Sequence, residues 1–231
     1  MSNILICDDE KDIVSALRIC LAAEGYEIFE AYNGMEALNV IRQNDIHLVL
    51  LDIMMPEMDG ISTLAKIREN YNMPVLFISA KSEDADKILG LNIGADDYIT
   101  KPFNIIEVVA RVKSNLRRYM RLGSNVSGSS RIEIGGLCLD DSEKTVTVDG
   151  EEINLTPTEY EILKLLMKNP GKVFSPREIY EKVWKETLLG SENTVAVHIR
   201  HLREKLEINP ADPRYIKVVW GQGYKIQGVG R

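Results

Sequence analysis

Two domains of different class are predicted. The first is α/β, a doubly wound five-stranded parallel sheet, and the second is a smaller α+β unit. Three observations predict them. Short apolar runs alternate with helix-length segments through the first half. The stretch Gly123-Ser124-Asn125-Val126-Ser127-Gly128-Ser129-Ser130 follows, with the composition of a flexible coil. The charge then changes sign: residues 1–122 carry 13 Lys and Arg against 19 Asp and Glu, and residues 164–231 carry 13 against 7. Boundaries at 1–119, 120–130 and 131–231 follow for first domain, linker and second domain.

The apolar runs Ile4–Cys7, Leu48–Leu51 and Val75–Ile78, with Asp97–Thr100, read as buried parallel strands. Each ends on residues able to handle phosphate: Asp8-Asp9, Asp52, Ser79 and Lys101-Pro102. Helical spacing of Ile13, Leu17 and Leu21 predicts the first helix, and that of Ile105, Val108, Val109, Val112 and Leu116 the last. Gly25, Gly34, Gly60 and Gly94 are expected where elements stop or turn. In the second domain, strands are predicted near 131–139, 144–148 and 151–155, with Asp149-Gly150 as a hairpin turn. Thr156-Pro157-Thr158-Glu159 and Ser175-Pro176-Arg177-Glu178 start two helices. A third runs from about Glu192 to Leu206, and Gly221-Gln222-Gly223 turns a final hairpin.

No apolar run among the 231 residues approaches the ~20 needed to span a bilayer, and no signal peptide is read at the N-terminus. Cys7, Cys20 and Cys138 are scattered in apolar contexts and read as buried, reduced thiols. A cytoplasmic protein is expected. The net charge of −7 argues against nucleic acid only until it is divided, because a duplex feels the local basic patch.

In an open parallel sheet, ligands bind beyond the carboxyl ends of the strands. Asp8, Asp9 and Asp52 would repel one another there unless a cation neutralises them, and Mg²⁺ suits hard oxygen ligands. Asp52 is the candidate nucleophile for an acyl phosphate, with Lys101 and Ser79 donating to phosphoryl oxygens. Residues 1–118 resemble a response-regulator receiver domain. The resemblance is carried by Ile6-Cys7-Asp8-Asp9-Glu10, by Leu51-Asp52 through Asp59-Gly60, by Ile78-Ser79-Ala80, and by Gly94 through Phe103. It implies a flavodoxin-like strand order 2-1-3-4-5 and phosphorylation of Asp52 by a sensor histidine kinase. It also implies Mg²⁺ held by Asp8, Asp9, Asp52 and the Met54 backbone carbonyl, and a cis Lys101–Pro102 bond. Tyr98, by itself a half-buried strand aromatic, becomes a switch that follows the Ser79 hydroxyl inward. A phosphohydrolase could use the same pocket, but needs an acid two residues past its nucleophile. Met54 stands there, so no enzyme is expected.

The third helix of the second domain has one apolar stripe, Val195, Ile199, Leu202 and Leu206, which leaves its polar residues for other faces. An apolar back and cationic front, before a hairpin, suggest a winged helix-turn-helix. Residues 131–228 resemble the effector domain of the OmpR/PhoB family. Leu155 through Tyr160, Val195 through Lys205 and Gly221-Gln222-Gly223-Tyr224 carry that resemblance. It implies promoter DNA with paired half-sites and RNA polymerase as partners. Matching positions are His198, Arg200 and Arg203 on phosphates, and Asn193, Ala196 and His201 on base edges. Thr194 and the wing residue Gln222 complete the DNA set. Trp220 stands where most members carry Arg. Trp220, His201 and the run Tyr215 to Ile226 are similar to VanR-type regulators of glycopeptide resistance. His198 and His201 have the spacing of a metal pair, which is discounted because no third ligand lies near in sequence.

Lys87, Asp96, Asp97, Glu107, Arg111 and Arg118 read as a solvated charged face. The resemblance implies instead a homodimer interface formed on phosphorylation, with Lys87–Glu107 and Asp97–Arg111 pairs across it. A DNA-binding regulator with a vestigial receiver is the alternative, opposed by the complete set at positions 8, 9, 52, 79 and 101.

Overall fold

The computed structural model describes residues 2–80, 94–122, 131–185 and 193–227. It divides into two compact units, Met1–Tyr119 and Met120–Arg231. The first unit is a five-stranded parallel sheet: β1 (Asn3–Cys7), β2 (Glu27–Ala31), β3 (Leu48–Leu51), β4 (Val75–Ser79) and β5 (Asp97–Thr100). Its strand order is β2-β1-β3-β4-β5. The helices among the described residues are α1 (Lys11–Ala23), α2 (Gly34–Gln43), α3 (Gly60–Arg68) and α4 (Ile105–Leu122).

Strand alternation sorts the core. Ile4, Ile6, Leu48, Leu50, Leu76, Ile78 and Ile99 bury one sheet face against Val14, Leu17 and Leu21 of α1 and Val108, Val112 and Leu116 of α4. The intervening Leu5, Cys7, Val49, Leu51 and Phe77 are equally buried, as are Ala37, Ile41, Leu64 and Ile67 of α2 and α3. Strands buried on both faces need continuous apolar runs, which is why they are legible in sequence. Asp96, fully buried before β5, accepts from the Val75 N–H at 3.0 Å and pairs with Arg68 at 2.9 Å, tying α3 to the start of β4.

Gly25 turns the chain after α1 with φ +86°. Gly34 and Gly60 instead begin helices, correcting the expectation that both stop or turn. At Gly60 the reason is close approach: a Cβ there would collide with the Asp52 carbonyl. That proximity lets the Gly60 N–H reach the Ile53 carbonyl at 2.9 Å. α4 runs to Leu122, through positions 120–122 that the sequence assigns to the linker. Residues 81–93, which include Lys87, and residues 123–130 lie outside the described residues.

The second unit opens with an antiparallel sheet, β6 (Arg131–Ile134), β7 (Leu137–Asp140), β8 (Thr145–Val148) and β9 (Glu151–Glu152). The single strand expected over 131–139 is two, folded at Gly135, whose φ is +62°. Three helices follow, α5 (Pro157–Met167), α6 (Pro176–Trp184) and α7 (Asn193–Leu206), then the hairpin β10 (Ile216–Val219) and β11 (Gly223–Ile226). Thr156 with Glu159, and Ser175 with Glu178, form reciprocal capping boxes on α5 and α6. The buried Glu207 carboxylate accepts from the N–H groups of Tyr215 and Ile216 at 2.8 and 2.9 Å, fixing where β10 leaves α7. One core joins Leu137, Leu163, Phe174, Tyr180, Trp184 and Ile199 with both strands of the hairpin.

Substituting Gly60 with Ala should destabilise the first unit by about 1–3 kcal/mol, since the new methyl meets backbone that cannot yield without displacing Asp52. Urea unfolding of the variant measures this; an unchanged midpoint would show that the approach is not tight.

Candidate functional site

Asp8 and Asp9 leave β1, Asp52 leaves β3, Ser79 ends β4 and Lys101 leaves β5. Because β1, β3, β4 and β5 are successive neighbours, all five residues gather on one carboxyl edge of the sheet. Lys101 Nζ lies 2.8 Å from Asp8 Oδ2, 3.0 Å from Glu10 Oε1 and 3.7 Å from Asp52 Oδ1. Asp8, Asp9 and Asp52 each turn one oxygen inward, all within 4.8 Å of one another. Asp8 and Asp52 are buried and Asp9 is exposed, so the cluster opens to solvent on the Asp9 side. The Asp52 N–H donates to the Cys7 carbonyl at 2.8 Å, extending the β1–β3 pairing to the site. The Lys101–Pro102 peptide is cis.

Burial is the main force on these carboxyls. It pushes Asp52 up to about 6, with Lys101 opposing and the Asp8 charge adding to the rise. Asp8 is also raised by burial, against the hydrogen bond from Lys101. Burial alone would lower Lys101, but its hydrogen bonds to Asp8 and Glu10 outweigh it and hold the ammonium charged. Three hard-oxygen donors around one lysine leave an excess of negative charge that fits a divalent cation such as Mg²⁺. Met54 lies two residues past Asp52 on the segment between β3 and α3, where its backbone carbonyl is the expected fourth donor.

Ser79 is fully buried, and its carbonyl accepts from the Lys101 N–H at 2.8 Å. It pairs with Thr100 across β4–β5, which makes Tyr98 its diagonal neighbour on the same face. The Tyr98 ring is buried, edge-on to Phe77 at 6.4 Å. Glu10 is a member of the site to which sequence reasoning gives no role. The signal is its place directly after Asp8-Asp9. It stands at the N-cap of α1 without capping it, and gives its carboxylate to Lys101 instead. Cys7 and Cys138 are buried as expected, whereas Cys20 is half-buried. Burial and the Asp8 charge push the Cys7 thiol far up, which keeps it protonated beside the pocket.

In the second unit α7 carries the expected stripe of Val195, Ile199, Leu202 and Leu206, all buried. The burial extends further than the stripe. His198 is 1 % exposed, His201 6 % and Thr194 6 %, which corrects their placement on outward faces. The reason is that α7 is covered from two sides: Trp184 of α6 lies 5.7 Å from the His198 ring, and Glu159 of α5 lies 3.7 Å from His201 Nδ1. Direct DNA contacts from these three side chains are therefore not available in this conformation. Ala196 and Arg200 are exposed, one turn apart. Arg203 is half-buried, and its guanidinium donates to the Ile216 carbonyl at 3.1 and 2.9 Å, tying α7 to the hairpin. Asn193 is the first residue of α7. Gln222 is exposed at the hairpin tip beside Trp220, which is 90 % exposed. Lys217 pairs with Lys225 directly across the hairpin, a like-charge juxtaposition that favours an anionic partner. The discounted metal pair also needs correction. The fold, not the local sequence, supplies a third candidate ligand in Glu159.

The charged face of the first unit is likewise more buried than expected. Arg111 closes on Asp97 within the same chain at 2.8 Å and on Glu107 at 2.9 Å. Arg118 donates to Ser114 Oγ and Asn115 Oδ1, and Asp96 is held by Arg68. Asp96, Asp97, Arg111 and Arg118 are thus buried in one protomer, not displayed for a partner. Glu107 is half-buried, and Lys87 lies outside the described residues.

Because Asp52 is raised, the folded protein holds its proton more tightly than the unfolded chain does. Ionisation therefore removes stability as pH rises from the ordinary carboxylate range through about 6. Metal-free Asp52→Asn should melt several degrees above the parent at pH 8. The gain should shrink through pH 6 and vanish near pH 4. An equal or lower midpoint at pH 8 in scanning calorimetry contradicts this balance.

Residues 4–113 match the family model "Response regulator receiver domain" and residues 150–226 match "Transcriptional regulatory protein, C terminal". The chain is 44% identical over 227 residues to "Regulatory protein VanRc" of Enterococcus gallinarum, covering 97% of this chain and 98% of that protein. It is 41% identical over 227 residues to "Response regulator GtcR" of Aneurinibacillus migulanus, covering 96% and 94%. Among solved structures, a cysteine-substituted mutant of RitR aligns with TM-score 0.79 at 28% identity, covering 99% of this chain and 100% of that one. The Thermotoga maritima response regulator DrrB, an OmpR/PhoB homologue, aligns with TM-score 0.52 at 32% identity over 99% and 100%. No helix among the described residues is long and apolar enough to cross a membrane. With the acidic pocket of its first unit and the winged helix of its second, the chain belongs to the OmpR/PhoB family of two-component response regulators that control transcription.

Proposed function

We propose that Asp52 accepts a phosphoryl group from a sensor histidine kinase and that this event changes the protein's grip on promoter DNA. The observation that carries the reading is Lys101 Nζ lodged between Asp8 and Asp52 at adjoining strand ends. In the transfer, an Asp52 carboxylate oxygen attacks phosphorus in line, a P–O bond forms, and the P–N bond to the kinase imidazole breaks. Asp8, Asp9, Asp52 and the Met54 carbonyl would hold Mg²⁺, which when bound screens the carboxylate from the incoming anion. Lys101 is already charged and exchanges contacts with Glu10 and Asp52 for a phosphoryl oxygen. The Ser79 hydroxyl turns toward the same group, and Tyr98, its diagonal neighbour, takes up the space this frees.

Dimerisation through the β5–α4 face then requires Arg111 to leave Asp97 of its own chain and take the same partner on the second protomer. Such an exchange conserves the number of ion pairs, so a small change at the pocket is enough to tip it. Two tethered effector units then meet paired half-sites, and effective concentration raises affinity without new base contacts. On DNA, α7 enters the major groove with Ala196 and Arg200 outward, Asn193 at its leading end, and Arg203 holding the hairpin behind it. Gln222, Lys217 and Lys225 of the wing lie along the backbone. Likeness to VanR-type proteins supports a role in antibiotic resistance.

Intact-mass measurement with magnesium and acetyl phosphate tests the acceptor. One phosphoryl adduct is expected on the parent and none on Asp52→Ala. Sedimentation of the two proteins should show donor-dependent dimers for the parent alone, and donor-dependent dimers of the variant would overturn the scheme. Arg200→Ala should weaken DNA binding uniformly across sequences and lower the salt slope by about 1, as loss of one phosphate contact does. A sequence-selective loss in a binding titration would assign Arg200 to base reading instead.

A further inference from the structure

We propose that the effector unit contains a zinc site formed by Glu159, His198 and His201, separate from the acidic pocket. His198 and His201 are three residues apart on α7 and so project from one helical face. Glu159 belongs to the first turn of α5, and the fold brings its carboxylate to that face. Each of the three side chains offers one ligand atom, all within 4.8 Å of one another, and all three residues are buried. Glu159 Oε1 stands 3.7 Å from His201 Nδ1. That is too long for a hydrogen bond but close to the ~3.4 Å separating two ligands of one tetrahedral zinc ion.

The remaining atoms of the site are arranged for a ligand carboxylate. Glu159 Oε2 accepts from the Thr156 N–H at 2.9 Å and from Lys205 Nζ at 2.7 Å. Those two donors fix the carboxylate plane and leave Oε1 directed at the histidines, as outer hydrogen bonds do for metal-binding carboxylates. The two imidazole rings lie edge to face, with centroids 6.3 Å apart, so they are not stacked. Two imidazoles and one carboxylate are a zinc-type donor set and a poor set for magnesium or calcium. Neutral imidazoles and one carboxylate bring a single negative charge. Lys205, part-exposed, can withdraw into solvent to accommodate the cation. Binding would clamp the middle of α7, between the exposed Ala196 and Arg200 and the Lys205 end, to the first turn of α5.

Cobalt(II) substitution of the full-length, chelator-treated protein tests the site, with millimolar Mg²⁺ present to occupy the acidic pocket. One equivalent should give the strong visible bands of a tetrahedral ion, removed by one equivalent of Zn²⁺. An all-oxygen site in the first unit gives only the weak absorption of six-coordinate cobalt. His201→Gln should lose the bands and bind Zn²⁺ more than about 100-fold more weakly, beyond the ~10–100-fold that loss of an outer hydrogen bond causes. Zinc-edge X-ray absorption on the parent protein should find two imidazoles in the ligand shell, a measurement independent of how any variant folds. Absent bands, bands that persist in His201→Gln, or a shell without imidazole would each overturn the site. None of these readouts involves DNA or phosphorylation, so failure here leaves the response-regulator mechanism standing, and failure of that mechanism leaves this result intact.

Discussion

Everything in the first unit is arranged around the cost of keeping carboxylates out of water. Asp8 and Asp52 are buried at strand ends where the sheet allows no retreat, and the single ammonium of Lys101 is shared between them and Glu10. One cation does not neutralise this much negative charge, and burial holds Asp8 and Asp52 above the ordinary carboxylate range. The pocket is therefore prepared for further positive charge and, once it is present, for an anion. Gly60 contributes by letting α3 begin against the Asp52 backbone, and the β1–β3 hydrogen bond at Asp52 ties that residue to the end of the sheet.

The second unit depends on the same principle with the signs rearranged. Glu159 closes the capping box of α5, accepts from Lys205 and faces His201. Glu207 closes the start of the hairpin with three backbone donors. These two buried acids hold α7 between α5 and the wing, so the exposed Ala196–Arg200 row is set by interior hydrogen bonds. Arg203 is drawn into the same arrangement through the Ile216 carbonyl. Its cation positions the wing first and is only partly available to a phosphate.

The sheet and the pocket are legible in the sequence because they rest on local signals. A strand buried on both faces has to be a continuous apolar run, and an acid or lysine directly after it has to sit at the sheet edge. Helix starts at Thr156 and Ser175 are legible for a similar reason, since a capping box is complete within four residues. What periodicity does not give is the environment of polar residues. A helical stripe counted from apolar side chains alone leaves out His198, His201 and Thr194. The fold buries them because neighbouring helices bring Trp184 and Glu159 to them. Arg111 and Arg118 read as solvated for the same reason. Their partners Asp97, Ser114 and Asn115 are close enough to satisfy the guanidinium inside one protomer.

That last difference bears on how a signal could travel. If Asp97 and Arg111 were free on the surface, dimer formation would add ion pairs outright, and screening by salt would set its strength. Because the pair is already closed and desolvated within the chain, a dimer that exchanged it would gain only the difference between two similar contacts. A nearly balanced exchange is sensitive to small displacements of β5. Tyr98 and Lys101 lie on or directly after that strand, on either side of Ser79's pairing partner Thr100. The side chains that would sense phosphate and those that would choose between partners thus share one short strand. Movement of that strand would link them without a longer path through the core.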